Sequence, residues 1–345
     1  MSQRPNAYDV AKLAGVSQTT VSRVLNDFPY VRPTTKMKVL NAIEELGFRP
    51  DEIARSLVKK KTNTIGLIVG NLANPFYAET AQVILNEASK LNYDVIMMDG
   101  DSKNESLSEV LSKLLNRRVD GVIVATVKRR EELTVNIVDS TIPILFFNRS
   151  MDNLEQANFV IVDDLKGSKI AMQHLIENGH QNIAYITISG YEEYSTYYNR
   201  FLGYKQALQD NGIAYNEELV FEADNHNSAL DFSMNLLQTN PSTTAIFAST
   251  DSIALEVFEA ISRCNKKVPE EISIMGFDDI NIAGNPYVKL TTISQRKEEM
   301  SKLALTNLLA LISGESSSPV QIVLEPKLIV RGTTKSAKRI IEDVK

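Results

Sequence analysis

Polar side chains near the amino terminus have the types and the spacing that reading a nucleic acid requires. They lie on one side of an expected helix: Gln18, Thr19, Ser22, Arg23 and Asn26. Short hydrogen-bonding side chains of this kind hold a defined geometry against base edges and phosphates. A guanidinium can also donate two parallel hydrogen bonds to a guanine edge, so Arg23 is the strongest candidate for a base-specific contact. This face therefore predicts binding to double-stranded DNA.

Three short helices are expected to position this face. The first covers residues 7–14, Gly15 allows a tight turn, Ser17 caps the second helix, and the third runs from Pro33 to just before Gly47. We expect a small core built from Val10, Ala11, Leu13, Ala14, Val21, Val24, Leu25, Met37, Leu40, Ile43 and Leu46. Two helices joined by a tight turn, the second with a polar outer face, describe a helix-turn-helix. The alternative is a generic three-helix cap.

The segment YDVAKLAGVSQTTVSRVLN, Tyr8 to Asn26, resembles the signature of the lac repressor and galactose repressor family of bacterial transcription regulators. The resemblance implies that Gln18, Thr19 and Arg23 read base edges in the major groove. The other expected DNA-binding positions of this region are Tyr8, Ser17, Thr20, Ser22 and Asn26. The residues that choose the operator differ among family members, so they do not reveal its sequence.

A second segment, GFRPDEIARSL, resembles the family's hinge. A helix of about two turns is marginal alone in water, so the hinge is expected to fold only on DNA with a partner hinge. The resemblance implies that Leu57 wedges into the minor groove, that Ala54 lets two hinges pair, and that Arg55 adds a phosphate contact. A flexible basic linker is the alternative. Asp51 stands where the family usually has Asn, which brings an acidic group near the DNA.

The distribution of charge agrees with a DNA-binding head. Residues 1–61 contain 11 Lys and Arg against 6 Asp and Glu, whereas the rest contains 26 against 37. A basic head on an acidic body favours a polyanionic partner, although basic ends also occur on proteins that bind anionic membranes. No apolar run approaches the ~18 residues that a membrane-spanning helix needs, and the amino terminus has no signal-peptide pattern. The expected location is therefore cytoplasmic.

From residue 64 the pattern changes to apolar runs that alternate with amphipathic segments, in two successive series. The runs expected to be strands are IGLIVG, DVIMMDG, DGVIVA and IPILFFN in the first series and FVIVDD, NIAYITI, TAIFAST and EISIMGFDD in the second. Helices are expected near residues 77–91, 104–116, 130–139, 164–178, 196–211, 227–239 and 251–263. This alternation predicts doubly wound parallel sheets in two lobes. It resembles the periplasmic sugar-binding protein fold that forms the regulatory domain of the same family. The expected fold is thus a small all-α helix-turn-helix head on a two-lobed α/β body. The predicted boundaries are 1–49 for the head, 50–61 for the hinge, 62–162 with 292–325 for the N-lobe, and 163–291 with 326–345 for the C-lobe.

Polar residues follow several predicted strands, where open α/β sheets bind ligands. By resemblance, the firmest effector-binding residues are Arg200 and Asp278, expected to face each other across a cleft and to bind a polyhydroxylated ligand. Their alternative is an interlobe salt bridge. Phe76 is expected either against the ligand ring or packed in the core. The remaining candidates are Asn148, Arg149, Asp163, Tyr194, Thr196, Asn225 and Thr250. Thr250 replaces a frequent Asn, and Asn225 stands where many sugar-responsive members have an aromatic residue.

The sequence offers little support for catalysis. It has no dinucleotide or NTP phosphate loop and no GxSxG nucleophile motif, and Cys264, His174, His180 and His226 lack metal-ligand spacing. We therefore expect no cofactor, no metal and no enzyme activity. The predicted function is a homodimeric repressor that binds a pseudo-palindromic operator and responds to a small molecule, a sugar or sugar derivative. Because of the departures at Thr250 and Asn225, a different sugar, a sugar phosphate and a non-sugar ligand stay open as alternatives. The alternatives are a solute-binding protein without DNA function and a regulator whose corepressor is a phosphorylated carrier protein.

Overall fold

The computed structural model of the chain describes residues 5–26, 28–48, 61–101, 105–131, 142–152, 155–224, 227–315 and 319–337. The chain divides into two units, residues 1–62 and 63–345. The first contains the DNA-binding candidates, and the second contains the effector candidates.

The first unit is built from three helices around a small apolar core. They are α1 (Ala7–Ala14), α2 (Gln18–Leu25) and α3 (Pro33–Leu46). Gly15 ends α1 in the left-handed conformation, with a φ of 66°, which glycine adopts without steric cost and which makes the turn tight. Ser17 caps α2 by accepting a hydrogen bond from the backbone N–H of Thr20. The helix-turn-helix predicted from the sequence is therefore present.

The predicted core of this unit is wrong in part. Leu13, Met37 and Leu40 are exposed, whereas Val39 and Ala42 of α3 are buried. Valine and alanine form the buried centre of this core, and the predicted Leu25, Ile43 and Leu46 are partly buried against it. The spacing of apolar residues on α3 allowed either face to be chosen.

The second unit contains two six-stranded sheets among its described residues. The first has the order β11-β5-β4-β3-β1-β2, and the second has the order β12-β10-β9-β8-β6-β7. The strands are β1 (Thr64–Val69), β2 (Asp94–Asp99), β3 (Gly121–Val124), β4 (Ile144–Phe147), β5 (Asn158–Val162), β6 (Ile183–Ile188), β7 (Val220–Ala223), β8 (Ala245–Ala248), β9 (Ser273–Asp278), β10 (Thr291–Ser294), β11 (Gln321–Leu324) and β12 (Lys327–Ile329). Every pairing is parallel except that of β10 with β12. This is the doubly wound architecture that the alternating pattern predicts.

Helices cover the faces of both sheets. They are α4 (Pro75–Lys90), α5 (Leu107–Asn116), α6 (Asp164–Glu177), α7 (Ser195–Asp210), α8 (Ser228–Thr239), α9 (Asp251–Arg263) and α10 (Lys297–Ser313). Strands such as β3, β4 and β8 are buried along their whole length because helices pack on both sides, which explains their continuous apolar sequences. Of the predicted helix near 130–139, Arg130 lies in a turn and Glu131 is not helical, and residues 132–139 are outside the described ranges.

The chain crosses between the sheets three times. It passes to the second sheet after β5, returns to the first with α10, and crosses again between β11 and β12. The predicted return at residue 292 is too early, because β10 pairs with β9 in the second sheet through Ser294. The strands β7, β10, β11 and β12 and helix α10 were not predicted, since their short or mixed apolar patterns carry little periodic signal. We call the two halves the N-lobe, around the first sheet, and the C-lobe, around the second.

Candidate effector site and DNA-binding face

The polar residues of α2 are available at the surface of the head. Gln18, Thr19, Ser22 and Arg23 are exposed, while Val21 and Val24 on the opposite side are buried. Tyr8 on α1 is also exposed, and Thr20 and Asn26 are half-buried. This is the amphipathic arrangement that a recognition helix requires, with an apolar face in the core and a polar face free for DNA. The hinge candidates Asp51, Ala54, Arg55 and Leu57 lie outside the described residues.

In the C-lobe, Arg200 of α7 forms the centre of a buried polar cluster. Its Nε donates to Asp164 Oδ1 at 2.7 Å, and its Nη1 donates to the Ser249 carbonyl at 2.7 Å and to Asp278 Oδ1 at 3.1 Å. Gln295 Nε2 donates to the same Asp278 oxygen at 2.6 Å. Only 2% of Arg200 and 2% of Asp278 are exposed, so these hydrogen bonds are shielded from water.

This geometry corrects one expectation. Arg200 and Asp278 do not face each other across a cleft and do not form an interlobe salt bridge, because both belong to the C-lobe and bond directly to each other. Burial raises the pKa of Asp278 to about 6, and the nearby guanidinium of Arg200 opposes that rise. Burial likewise raises the pKa of Asp164 to about 6 against the same charge. For Arg200, burial works against the charged form, but the two carboxylates raise its pKa above the ordinary value.

In the N-lobe, Arg149 follows β4 and is equally buried, with 3% of its surface exposed. Its Nη1 donates to Thr126 Oγ1 at 3.1 Å, and that hydroxyl donates to Asp101 Oδ1 at 2.5 Å. The guanidinium carbon lies 4.2 Å from the ring centre of Tyr194 and 5.6 Å from that of Tyr197. These rings belong to the C-lobe, so Arg149 contacts both lobes through cation–π interactions.

The two arginines are brought together by a single aromatic ring. Tyr197 lies 5.6 Å from the guanidinium carbon of Arg149 and 5.8 Å from that of Arg200. Further interlobe contacts hold the same segment of the C-lobe: the backbone N–H of Arg129 donates to the Glu193 carbonyl at 2.7 Å, and that of Ser150 donates to Ser195 Oγ at 3.1 Å. The contact between the lobes therefore contains polar groups and aromatic rings from both lobes, and the cleft expected from the sequence would open at this contact.

Four of the nine non-glycine residues with a positive φ among the described residues lie at or just beyond the ends of β4, β9 and β10. Asn148 after β4 has a φ of 65°, Asp278 at the end of β9 has a φ of 123°, and Asp279 and Arg296 have φ values of 57° and 54°. Non-glycine residues in this region carry a steric cost and tend to cluster at ligand sites, where surrounding contacts hold them. Here Asp279 is held by Arg331, whose Nη2 donates to its carboxylate at 2.6 Å.

Other predicted effector residues occupy supporting positions. Phe76 is 1% exposed and belongs to the apolar core, which agrees with the packed alternative. Asp163 and Thr250 use their side chains to cap α6 and α9, accepting from the backbone N–H groups of Lys166 and Ile253. Thr196 is buried in the first turn of α7. Asn225 lies outside the described residues.

Several cleft residues were missed from the sequence. They are Tyr77, Asp101, Thr126, Asp164, Tyr197 and Gln295. Asp101 and Thr126 follow β2 and β3, and Gln295 follows β10, so the strand-end rule could have found the first two once the strands were predicted. No sequence signal marks Asp164 as the closer partner of Arg200, because adjacent Asp163 has the same chemistry.

Comparison with known proteins matches both units. Residues 6–51 match the family model of bacterial regulatory proteins of the lacI family, and residues 172–334 match that of the periplasmic binding protein-like domain. Catabolite control protein A of Priestia megaterium is 32% identical over 329 residues, which cover 95% of this chain and 98% of that protein. The chain belongs to the LacI family of bacterial regulatory proteins. It is a DNA-binding transcription regulator, as its resemblance to the family signature predicted.

Solved structures of LacI-family regulators have the same architecture. The Lac repressor dimer bound to operator and the anti-inducer ONPF is 28% identical to this LacI-family chain, with a TM-score of 0.85, covering 96% of this chain and 100% of that one. The complex of the regulator CelR with cellobiose is 30% identical, with a TM-score of 0.70 and the same coverage. Within the described residues of this regulator, no helix is long and apolar enough to cross a membrane, and no three His, Cys, Asp or Glu side chains are grouped to hold a metal ion.

Proposed function

We propose that this LacI-family regulator is a homodimeric repressor whose affinity for a pseudo-palindromic operator is controlled by a carbohydrate bound between the lobes. One observation carries the effector part. Four buried polar atoms without a hydrogen-bond partner among the described residues lie just beyond strands of both sheets: Asn148 Oδ1, Arg149 Nε, Ser249 Oγ and Gln295 Oε1. Buried polar atoms are nearly always hydrogen-bonded, and each one left unpaired costs about 1–3 kcal/mol. A ligand in the cleft would supply the missing partners.

The chemistry of these atoms favours a polyhydroxylated ligand. Arg149 Nε is a donor, Asn148 Oδ1 and Gln295 Oε1 are acceptors, and the hydroxyl of Ser249 can be either. A sugar carries alternating hydroxyl groups that donate and accept, and its apolar ring face packs on aromatic side chains such as Tyr194 and Tyr197. The cellobiose complex of the similar CelR regulator supports a carbohydrate as the class of ligand.

Dimeric DNA binding follows from the size of one recognition helix. A single helix contacts only a short half-site, so two heads related by a twofold axis would bind inverted half-sites. The operator-bound dimer of the Lac repressor supports this arrangement. Within the head we assign base contacts to Gln18, Thr19 and Arg23. Phosphate contacts are assigned to Tyr8, Thr20, Ser22 and Asn26.

Regulation would follow from thermodynamic linkage. If the effector favours one relative orientation of the N-lobe and C-lobe and DNA favours another, each weakens the binding of the other by the same factor, typically about 5- to 150-fold. The direct lobe-to-lobe contact of Arg149 with Tyr194 makes the orientation sensitive to what occupies the cleft. A solute-binding protein without DNA function would have no use for the exposed polar face of α2, and no described residue favours a phosphorylated carrier protein as corepressor.

The DNA part can be tested by titrating selected operator DNA and random DNA with Arg23→Ala. Loss of a bidentate base contact should cost about 1–3 kcal/mol on the operator and relax the preference at one base pair per half-site. The control is Arg263→Ala on the body, which removes the same charge from an exposed ion pair with Glu259. Equal losses on operator and random DNA would show that Arg23 contacts only phosphate.

A further inference from the structure

A cavity of about 340 Å³ lies in the N-lobe beyond the ends of β2 and β3. Its walls are formed by Asp101, Glu105, Thr126, Lys128, Glu131 and the ring of Tyr194, among others. The volume falls in the range of about 300–1,000 Å³ that is usual for small-molecule sites. Tyr194 is the one predicted effector residue among the described residues that line it, and none of the DNA-binding candidates lines it.

The cavity adjoins the cleft through two of its walls. Tyr194 stacks over the guanidinium of Arg149 at 4.2 Å, and Thr126 accepts a hydrogen bond from the same guanidinium at 3.1 Å. The cavity also touches both lobes, because Lys128 Nζ pairs with Glu193 Oε2 of the C-lobe at 2.6 Å. A ligand that extended from the cleft into this cavity would therefore contact the groups that hold the lobes together.

We propose that this cavity is a second subsite of the effector and accepts an uncharged sugar ring, so that the effector is a neutral saccharide of at least two rings. This inference rests on the proposed function. The Tyr194 ring supplies an apolar face for stacking, and the accessible carboxylates of Asp101 and Glu131 accept hydrogen bonds from hydroxyl groups.

The charges of the cavity exclude a phosphorylated ring. The carboxylates of Asp101 and Glu131 have no ion pair among the described residues, whereas Glu105 is paired with Lys113 and the ammonium of Lys128 is paired with Glu193. The amino end of α5, which would otherwise attract an anion, is capped from within: Ser106 N–H donates to Glu109 Oε2 at 2.7 Å, and Glu109 N–H donates to Ser106 Oγ at 3.3 Å.

The test uses the full chain and begins with thermal shift measurements on glucose, cellobiose, further neutral mono- and disaccharides, their 6-phosphates and glucosamine. Affinities of the active compounds are then measured by calorimetry on the unmodified protein, on Asp101→Asn and on the control Asp210→Asn. Asp210 lies on α7, where it forms an exposed ion pair with Lys169, so the control removes the same charge away from the cavity. Because the chain contains no tryptophan, Tyr194→Trp introduces a single indole whose fluorescence reports on a ring stacked in the cavity.

We expect a neutral disaccharide to bind more tightly than its monosaccharide and to change the indole fluorescence. Asp101→Asn should weaken the binding of the disaccharide by ~10-fold, because it removes a charged acceptor of hydroxyl hydrogen bonds. The affinity for the monosaccharide should stay the same. Asp210→Asn should change neither. Tightest binding of a phosphate ester or of glucosamine, or equal losses for both sugars, would overturn the subsite, and the proposed function would stand if that ligand still altered operator affinity. If no sugar changed the melting temperature or operator affinity, the subsite and the carbohydrate effector would both be refuted.

Discussion

Two arginines with the same burial play different parts in the two lobes. Arg200 of the C-lobe has two carboxylates within ion-pair distance, those of Asp164 and Asp278. Arg149 of the N-lobe has no carboxylate at that distance among the described residues, and its contacts are one hydroxyl, aromatic rings and an Nε without a partner. The difference teaches that burial alone does not identify a sensing residue. A charge compensated inside one lobe stabilises the scaffold, whereas one that reaches the other lobe with a donor unused can respond to a ligand.

The largest expected effect that tests this comparison is a loss of stability in Arg200→Met. The change leaves two buried carboxylates without their cation, which should lower the free energy of unfolding by about 3–5 kcal/mol. Denaturant unfolding followed by circular dichroism measures it. The loss should shrink at pH 5, because the freed carboxyl groups then take up protons. Arg263→Met, which removes an exposed partner of Glu259, is the control, and an equally small change in both variants would contradict the scaffold role.

Arg149→Met should separate binding from stability. The substitution leaves Asp101 bonded to Thr126, so the free energy of unfolding should fall by only about 1–2 kcal/mol from the lost hydrogen bond and cation–π contacts. The affinity for the effector should fall by ~10-fold or more, since a desolvated donor to the ligand is lost. Calorimetry and unfolding of the same variant check both values. A loss of stability as large as that of Arg200→Met would place Arg149 in the scaffold instead.

The pH dependence of effector binding should show whether Asp278, besides pairing with Arg200, also accepts a hydrogen bond from the effector. The pKa of Asp278 is about 6 in the folded protein and 3.8 ordinarily. The contribution of this carboxyl to the stability of the fold is therefore fully present below pH 3.8 and is lost as the pH rises through 6. Effector affinity should change in the opposite direction. As the pH falls below 6, Asp278 becomes protonated and the effector loses a charged hydrogen-bond acceptor. The affinity for the effector should then drop by up to ~10-fold per pH unit.

The Asp278→Asn variant should bind the effector weakly at every pH. Its effector affinity should also vary much less with pH, although a residual dependence is expected because Asp164 titrates in the same range. Calorimetry from pH 5 to 8 gives the profile. If the slope were the same with asparagine at this position, the carboxylate would not be a ligand group.

The smallest expected effect belongs to Arg129→Ala, at the mouth of the cleft. Arg129 pairs with Asp152 at 2.8 Å and stacks on Tyr198 of the C-lobe with its guanidinium carbon 3.7 Å from the ring centre. Because this pair is partly exposed, the free energy of unfolding should change by about 1 kcal/mol or less. Amide exchange in the first turn of α7 should nevertheless become faster as the lobes separate more often. Arg117→Ala on the N-lobe is the control, and unchanged exchange would mean that Arg129 does not hold the lobes together.

Much of the fold and part of the site could be predicted from the sequence. Apolar runs alternating with amphipathic segments indicate the parallel sheets, and the polar face of α2 indicates DNA binding, because both signals are periodic and local. The strand-end rule also found Asn148 and Arg149 beside the cleft. It did not find Asp164 or Gln295, since nothing in the sequence shows which of several polar residues faces Arg200.

Residues within a few positions of one another were enough to predict the helices of the head, eight of the strands and the polar groups at their ends, but not β7, β10, β11, β12 or α10. The pairing of Arg200 with Asp164 and Asp278 inside one lobe, and the contact of Arg149 with tyrosines of the other lobe, became visible in the folded structure alone. These contacts depend on the order of the strands in the sheets. That order brings Asp164 and Asp278, which are 36 and 78 positions away in the sequence, next to Arg200. Contacts at such separations are fixed by the packing of the whole lobe, because the periodic pattern of one segment contains no information about its distant neighbours.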